Sequence, residues 1–139
     1  MATRTDRWWS GKVLEMPTDE CWELLDARMV GRLAWQEDNG PAIVPVNYVV
    51  GDGYVYFRTK PESRIGRNVL RGPISFQVDD VDDFNQAGWS VLVRGRAEEA
   101  PHDECPSGWD SPSTWPEQDR PLVVRIVPAE VTGRRLLSS

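Results

Sequence analysis

Residues 45–64 read PVNYVVGDGYVYFRTKPESR, and this stretch predicts a β-hairpin that ends in a cluster of positive charge. Its two arms, 45–50 and 54–59, are rich in β-branched and aromatic residues, as strands are. Gly51-Asp52-Gly53 joins the arms, and glycines with positive φ would let the chain reverse there. The stretch therefore indicates antiparallel β structure at the centre of the chain.

The apolar character stops after Phe57, and three cations and two hydroxyls follow within the seven residues 58–64. They are Arg58, Thr59, Lys60, Ser63 and Arg64. Pro61 suits the first turn of a helix, so we expect a helix over about 61–70 whose first N–H groups point toward the same place. The cluster is typical either of a phosphate-binding site or of a solvated strand end.

Size and composition limit the possible functions. The 139 residues suffice for one domain with a single core. A net charge of −6 argues against general nucleic-acid binding, although 14 of the 16 basic residues are arginine, which grips phosphate through a planar fork. No apolar run has the length of a signal peptide or a membrane span, so we expect a cytoplasmic protein without membrane contact. Cys21 and Cys105 should then remain reduced.

The rest of the chain predicts a mainly β, barrel-like fold. Residues 1–16 form a polar N-terminal arm in this interpretation, and 17–139 form a single domain that begins with a helix ending near Ala27. Six or seven short antiparallel strands with two or more short helices favour a Greek-key-like barrel over a βαβ sheet. The predicted strands are 30–36, 42–50, 54–59, 74–78, 88–98, 122–127 and 131–137, with loops at 79–83 and 128–130.

Several single features refine this picture. Pro45 cannot donate to a ladder, so its strand should lie at an edge or carry a bulge, and Gly95 marks a bulge or bend. Trp8 and Trp9 should dock on the body or on a second subunit rather than stay in water. Residues 101–121 carry five prolines and two tryptophans, which predicts an ordered cover rather than a disordered linker.

Most familiar catalytic and metal motifs are missing from the sequence. His102 and Cys105 are too few for a structural zinc site, and the acidic run 79–83 lacks the spacing of a calcium loop. No nucleophile elbow and no glycine-rich phosphate loop is present. We therefore expect no metal site, and the catalytic residues remain unassigned.

The charged cluster would need help from an apolar ligand body. Hydrogen bonds to charged groups contribute about 1.5–3 kcal/mol each, and three or four hardly reach the roughly 8 kcal/mol of a micromolar complex after ordering costs. A flat ring could add the rest by stacking, which points to a nucleotide or a flavin. The aromatic candidates for that contact are Tyr48, Tyr56, Trp89 and Trp115.

An ordered set of short runs resembles the small flavin-nucleotide-binding proteins of the pyridoxamine 5'-phosphate oxidase-like family, which share the FMN-binding split β-barrel. The set covers the chain from about Pro17 to Arg135. Its runs are Val30-Gly31-Arg32-Leu33-Ala34, Pro45-Val46-Asn47-Tyr48-Val49, Tyr56-Phe57-Arg58-Thr59, Phe76-Gln77-Val78-Asp79, Gly88-Trp89-Ser90-Val91 and Val131-Thr132-Gly133-Arg134-Arg135.

The resemblance implies a homodimer with two FMN sites at the subunit interface. It assigns the isoalloxazine and ribityl contacts to Val46, Asn47 and Tyr48, and the phosphate contacts to Thr59, Ser63 and Arg64. Arg58 and Lys60 would flank the phosphate. Trp89, Ser90 and Trp115 would come from the partner subunit.

The sequence also departs from the family. Glu62 stands where many relatives carry glycine, and Ile65 replaces the second basic residue of the true oxidases. The C-terminal portion that shapes substrate recognition in those enzymes is short here, so vitamin B6 oxidation is not expected. The leading hypothesis is an FMN-dependent oxidoreductase of unknown substrate. The alternatives are a flavin carrier without turnover and a deazaflavin-dependent reductase, with haem as a further cofactor that the single histidine supports little.

Overall fold

The computed structural model describes residues 12–109 and 115–138, where antiparallel strands form one curled sheet. The strands are β1 (Lys12–Met16), β2 (Val30–Glu37), β3 (Gly40–Asn47), β4 (Val49–Gly51), β5 (Tyr54–Thr59), β6 (Pro73–Asp82), β7 (Ala87–Glu99) and β8 (Leu122–Leu137). The helices are α1 (Thr18–Asp26) and α2 (Arg64–Asn68), with short 3₁₀ turns at Val69–Arg71, His102–Glu104 and Glu117–Asp119.

The sheet has the strand order β3-β2-β6-β7-β8-β5-β4, and β1 pairs with the far end of β8. Strands β3 and β4 are neighbours in sequence, yet they lie at opposite ends of this order. The sheet curls into a half-barrel, so the predicted mainly β, split-barrel fold is confirmed. Pro45 lies in the edge strand β3, which pairs only with β2 among the described strands.

Alternate residues of the strands build a core on one side of the sheet. Its fully buried side chains include Leu33, Phe57, Phe76 and Val124. Helix α1 covers this side through Cys21 and Leu25, which are also fully buried. Each such aliphatic or aromatic side chain contributes about 1.5–3 kcal/mol through its removal from water, so this face holds the fold together.

Tyr48 divides the predicted strand 42–50 into β3 and β4. Its N–H donates to the carbonyl of Met29 (3.0 Å), outside either ladder. Its ring is buried against Phe76, and its hydroxyl donates to the carbonyl of Leu25 at 2.5 Å. Burial raises the pKa of Tyr48 to about 12. The side chain therefore ties the β3–β4 junction to the end of α1.

Two predicted loops are parts of longer strands. The acidic run belongs mostly to β6, which stays paired with β7 as far as Asp82 and Ala87. Asp79 forms an ion pair with Arg32 (3.3 Å) and Asp80 with Arg28, so neighbouring arginines offset the repulsion that favoured a loop.

The predicted turn at 128–130 is an irregularity within the single strand β8. Arg94 pairs with Glu130 and Gly95 with Pro128, so Ala129 is an extra residue opposite the Arg94–Gly95 step. Pro128 has no N–H for the ladder, and the bulge absorbs this defect without ending the strand. The predicted irregularity at Gly95 is thus confirmed.

Three local features also differ from the sequence prediction. Helix α2 begins at Arg64 and not at about residue 61, because Ser63 is its N-terminal cap. In the hairpin between β4 and β5, positive φ falls on Asp52 (51°) and Gly53 (81°) and not on both glycines. The end of the predicted polar arm, 12–16, forms β1. Trp8 and Trp9 lie outside the described residues.

Candidate functional site

Thr59 and Ser63 form a hydroxyl pair where β5 ends and α2 begins. Thr59 follows Val55 and Phe57 on the core side of β5, and its Oγ1 lies 2.7 Å from the Oγ of Ser63. Ser63 caps α2: its hydroxyl accepts from the N–H of Gly66 (3.0 Å) and donates to the carbonyl of Lys60 (2.7 Å). The hydroxyl of Ser63 thus stabilises the turn, and Thr59 is the donor within the pair, so its hydroxyl would exchange Ser63 for a ligand oxygen when a ligand binds.

Arg64 is held by a carboxylate that the sequence did not point to. Its Nε and Nη2 donate to the two oxygens of Glu37 at 2.9 and 2.5 Å. Trp35 donates its indole N–H to the same carboxylate at 3.0 Å. The hydrogen bond from Arg64 lowers the pKa of Glu37, which keeps the pair charged. The fork is thereby oriented, while the Arg64 side chain remains 58% exposed.

The flanking cations behave differently from Arg64. Arg58 precedes Thr59, so the alternation of a strand sends its side chain to the opposite face of the sheet. There its guanidinium lies 4.3 Å from the ring centroid of Trp109. Lys60 contributes its carbonyl to the turn, and its side chain is exposed. The structure therefore brings the hydroxyls of Thr59 and Ser63 together, directs the guanidinium of Arg64 to Glu37, and directs Arg58 to the opposite face.

Three of the four aromatic candidates are used for packing within the chain. Tyr48, Tyr56 and Trp89 are 3%, 3% and 8% exposed, whereas Trp115 is 39% exposed. Tyr56 belongs to a second apolar cluster, on the face that also carries Arg58. In this chain, any ligand contact from Tyr48 would have to use its backbone.

The remaining predicted contacts are divided between the core side and the face of the sheet that points away from the core, which we call the open face. Asn47 is exposed at the end of edge strand β3, and Val46 packs against the core. Ser90 is half-buried on the open face, where it lines a cleft of about 390 Å³ together with Arg32 and Gln77. Ser90 and the hydroxyl pair of Thr59 and Ser63 thus belong to opposite sides of one sheet.

The two departures from the family pattern have distinct surroundings. Ile65 is half-buried and packs against the main core, which accounts for an apolar residue at this position. Glu62 is exposed in the turn before α2. Within residues 12–109 and 115–138, no cluster of three or more His, Cys, Asp or Glu side chains is arranged to hold a metal ion. No helix in the described parts of the chain is long and apolar enough to cross a membrane.

The half-barrel and the Thr59–Arg64 turn define a split-barrel protein. The sequence profile of the pyridoxamine 5'-phosphate oxidase family matches residues 17–135. The chain belongs to this family.

Its relatives include proteins described by a cofactor and proteins without an assigned function. An uncharacterized protein of Mycobacterium tuberculosis is 32% identical over 91% of this chain and 88% of its own length. The FAD-binding protein of Mycobacterium smegmatis has a TM-score of 0.70 and 31% identity, covering 89% of this chain and 98% of that one. An FAD-binding protein of Mesorhizobium loti has a TM-score of 0.72 and 29% identity, covering 91% and 98%.

Proposed function

We propose that this protein binds a flavin nucleotide, FMN in the first place, across the interface of a homodimer, and that it acts as a flavin-dependent oxidoreductase. The observation that carries the proposal is the turn at the end of β5, where the hydroxyl of Thr59 and the oriented fork of Arg64 lie five residues apart on one short segment. Two structural relatives with about 30% identity are described as FAD-binding, which supports a flavin as the ligand.

The residues fit the phosphate end of such a ligand. Nε and Nη2 of Arg64 bind Glu37, whereas Nη1 makes no hydrogen bond to a described residue. This nitrogen and the hydroxyl of Thr59 supply donors for phosphate oxygens. Glu37 holds the guanidinium in position, so less side-chain entropy is lost when the phosphate binds.

The two sides of the sheet support a dimer. Thr59 and Ser63 lie on the core side of β5, and Ser90 lies on the open face of β7. One chain does not bring these groups to a single small ligand, whereas a second copy could supply Ser90 and Trp115 to the site formed by Thr59. Val30 and Ile43 are 54% and 63% exposed on the open face, as expected for apolar side chains that a partner covers.

The bound flavin would supply the electron-transfer chemistry, so the chain needs no acid–base residue of its own for that step. The chain's residues would hold the phosphate through Thr59 and Arg64 and limit access of water through the second subunit. A carrier without turnover uses the same contacts and differs from an enzyme only in lacking a substrate.

FAD is the second candidate cofactor, because the two solved relatives above are described as FAD-binding. It shares with FMN the phosphate next to the ribityl chain, so the same turn would hold either nucleotide. Chromatography of the cofactor released from freshly purified protein distinguishes the two.

The absorbance spectrum of purified protein tests the proposal directly. We expect a flavin spectrum that NADH, NADPH or another donor bleaches. A flavin spectrum that no donor bleaches would favour the carrier. Colourless protein that takes up neither FMN nor FAD would refute flavin binding altogether. Sedimentation tests the dimer, since a monomer with full flavin affinity would exclude an interface site.

Matched ligands test the phosphate contacts. In Arg64→Ala and Thr59→Ala, FMN should bind about ten- to a hundredfold more weakly, the loss of one charge-assisted hydrogen bond, while riboflavin, which has no phosphate, changes little. Arg71→Ala is the control, because Arg71 is exposed in the turn after α2 and has no ion pair with a described residue. Equal losses of affinity for FMN and riboflavin would show that the phosphate binds elsewhere.

A further inference from the structure

A second cleft on the open face has properties that the proposed flavin contacts do not use. It has a volume of about 650 Å³ and lies over the end of β2, the start of β6 and the bulge between β7 and β8. Its walls are mainly apolar, with contributions from Pro41, Pro73, Val127 and Pro128. Ligand-binding clefts commonly measure about 300–1,000 Å³, so a small organic molecule fits.

Two arginines give this cleft a positive charge. Arg94 and Arg96 both line it, and none of its lining residues is an acid. Neither arginine forms an ion pair with a residue in the described ranges. This contrasts with five other arginines, which do pair with carboxylates: Arg28, Arg32, Arg64, Arg125 and Arg135. In a chain of net charge −6, these two arginines give the cleft a local excess of positive charge.

The bulge keeps both arginines at the cleft. Arg94 and Arg96 are two residues apart on β7, so they point to the same face, and Gly95 between them lies against β8. A Cβ at Gly95 would come within 2.1 Å of the carbonyl oxygen of Val127, so a larger residue would push the two strands apart. The extra residue Ala129 lies in β8 opposite this step and lines the same cleft.

We propose that this cleft binds an organic anion with an apolar body, in which Arg94 and Arg96 hold a carboxylate or phosphate and the wall of Pro41, Val127 and Pro128 contacts the body. The charge and the planar fork select the anion, and the apolar walls select an organic molecule over inorganic phosphate. The proposal uses none of the residues assigned to the flavin, so an absence of flavin binding would not refute it. It requires only that a second subunit on the open face leave this cleft accessible.

Calorimetry with two naphthalene probes tests the site. 8-Anilinonaphthalene-1-sulfonate carries an aromatic body with one negative charge, and N-phenyl-1-naphthylamine is nearly the same body without the charge. Arg94→Gln and Arg96→Gln should each weaken the sulfonate about tenfold, the loss of one charge-assisted hydrogen bond, and leave the neutral probe unchanged. Arg71→Gln makes the same charge change away from the cleft and should affect neither probe.

Two results would overturn the proposal: sulfonate affinity that is the same in Arg94→Gln, Arg96→Gln and the native protein, or an equal loss in Arg71→Gln. Circular dichroism of each variant confirms that the fold is retained.

Titration with FMN and FAD identifies the source of the anion. A loss of FAD affinity alone in Arg94→Gln would support the cleft and assign it to the second phosphate of a dinucleotide. Unchanged affinity for both flavins together with a weakened sulfonate would support a separate small-molecule anion.

Discussion

The two faces of the same sheet differ in almost every property. Phe76 and Gln77 are adjacent in β6, yet Phe76 is fully buried against Tyr48, whereas Gln77 lines a cleft on the open face. The core face is apolar and is covered by α1. The open face carries arginines, the two clefts described above and exposed apolar side chains. The difference shows that strand alternation separates the residues that fold this chain from those that remain for a ligand or a second copy.

The largest effect expected from this comparison is on the core face. Phe76→Ala should lower the free energy of unfolding by about 3–5 kcal/mol, because it opens a cavity among fully buried neighbours. Gln77→Ala, the matched change on the open face, should alter it by no more than about 0.5 kcal/mol. Urea unfolding at one protein concentration measures both. Similar losses in the two variants would mean that the faces are not energetically distinct.

Tyr48 tests whether a residue between the two edge strands belongs to the core. Tyr48→Phe should cost about 0.5–1.5 kcal/mol, since it removes the hydrogen bond from the buried Tyr48 hydroxyl to the carbonyl of Leu25, which keeps a longer bond from the N–H of Arg28 (3.4 Å). Flavin affinity should not change. Tyr54→Phe is the control, because the hydroxyl of Tyr54 has no hydrogen bond to a described residue and the ring is half-buried. A loss of flavin affinity at unchanged stability would instead place the Tyr48 hydroxyl on the ligand.

Ser63 has two roles, because it caps helix α2 and also lies in the candidate site. Ser63→Ala should cost about 1 kcal/mol of stability through loss of the cap to Gly66. Ser63→Asp retains a capping oxygen and should therefore keep the stability, but its charge should repel the phosphate and weaken FMN relative to riboflavin. Thermal unfolding and flavin titration separate the two effects. If Ser63→Asp binds FMN as well as the native protein does, the phosphate does not approach this turn.

The smallest expected effect concerns acid pH. Because Arg64 holds the pKa of Glu37 below its ordinary value of 4.5, the stabilisation by this pair is complete above that value. It is lost as the pH falls through the lower pKa of the folded protein. Between about pH 7 and about pH 3, Glu37→Gln should therefore lose less of its unfolding temperature than the native chain. Glu62→Gln, an exposed site without an ion pair to a described residue, should behave as the native chain does. If the unfolding temperature falls equally with acid pH in all three proteins, the pair does not stabilise the fold.

The sequence predicted an element correctly where a local pattern is itself the physical cause of that element. The β4–β5 hairpin, the edge position of Pro45, helix α1 and the irregularity at Gly95 all follow from alternation, turn residues and the missing N–H of proline. The acidic run at 79–83 was mispredicted as a loop, because the arginines that neutralise it lie in α1–β2 and are distant in sequence.

The candidate site was predictable in part. Thr59, Ser63 and Arg64 lie within one turn, so their proximity follows from the sequence. Glu37 is 27 residues from Arg64 and no local signal connects them, so the carboxylate that orients the arginine was missed. Alternation within β5 could have separated Arg58 from Thr59, because neighbouring residues of a strand point to opposite faces.

The sequence by itself determined the β class, the hairpin, the polar turn at its end and the family, since each depends on short-range geometry or on an ordered set of motifs. Only the tertiary structure decided that Tyr48 and Trp89 belong to the core, that Glu37 holds Arg64, and that Arg94 and Arg96 share a cleft. These relations depend on how the sheet curls and on which strands become neighbours. Contacts between strands distant in sequence set both, and no window of local sequence contains them.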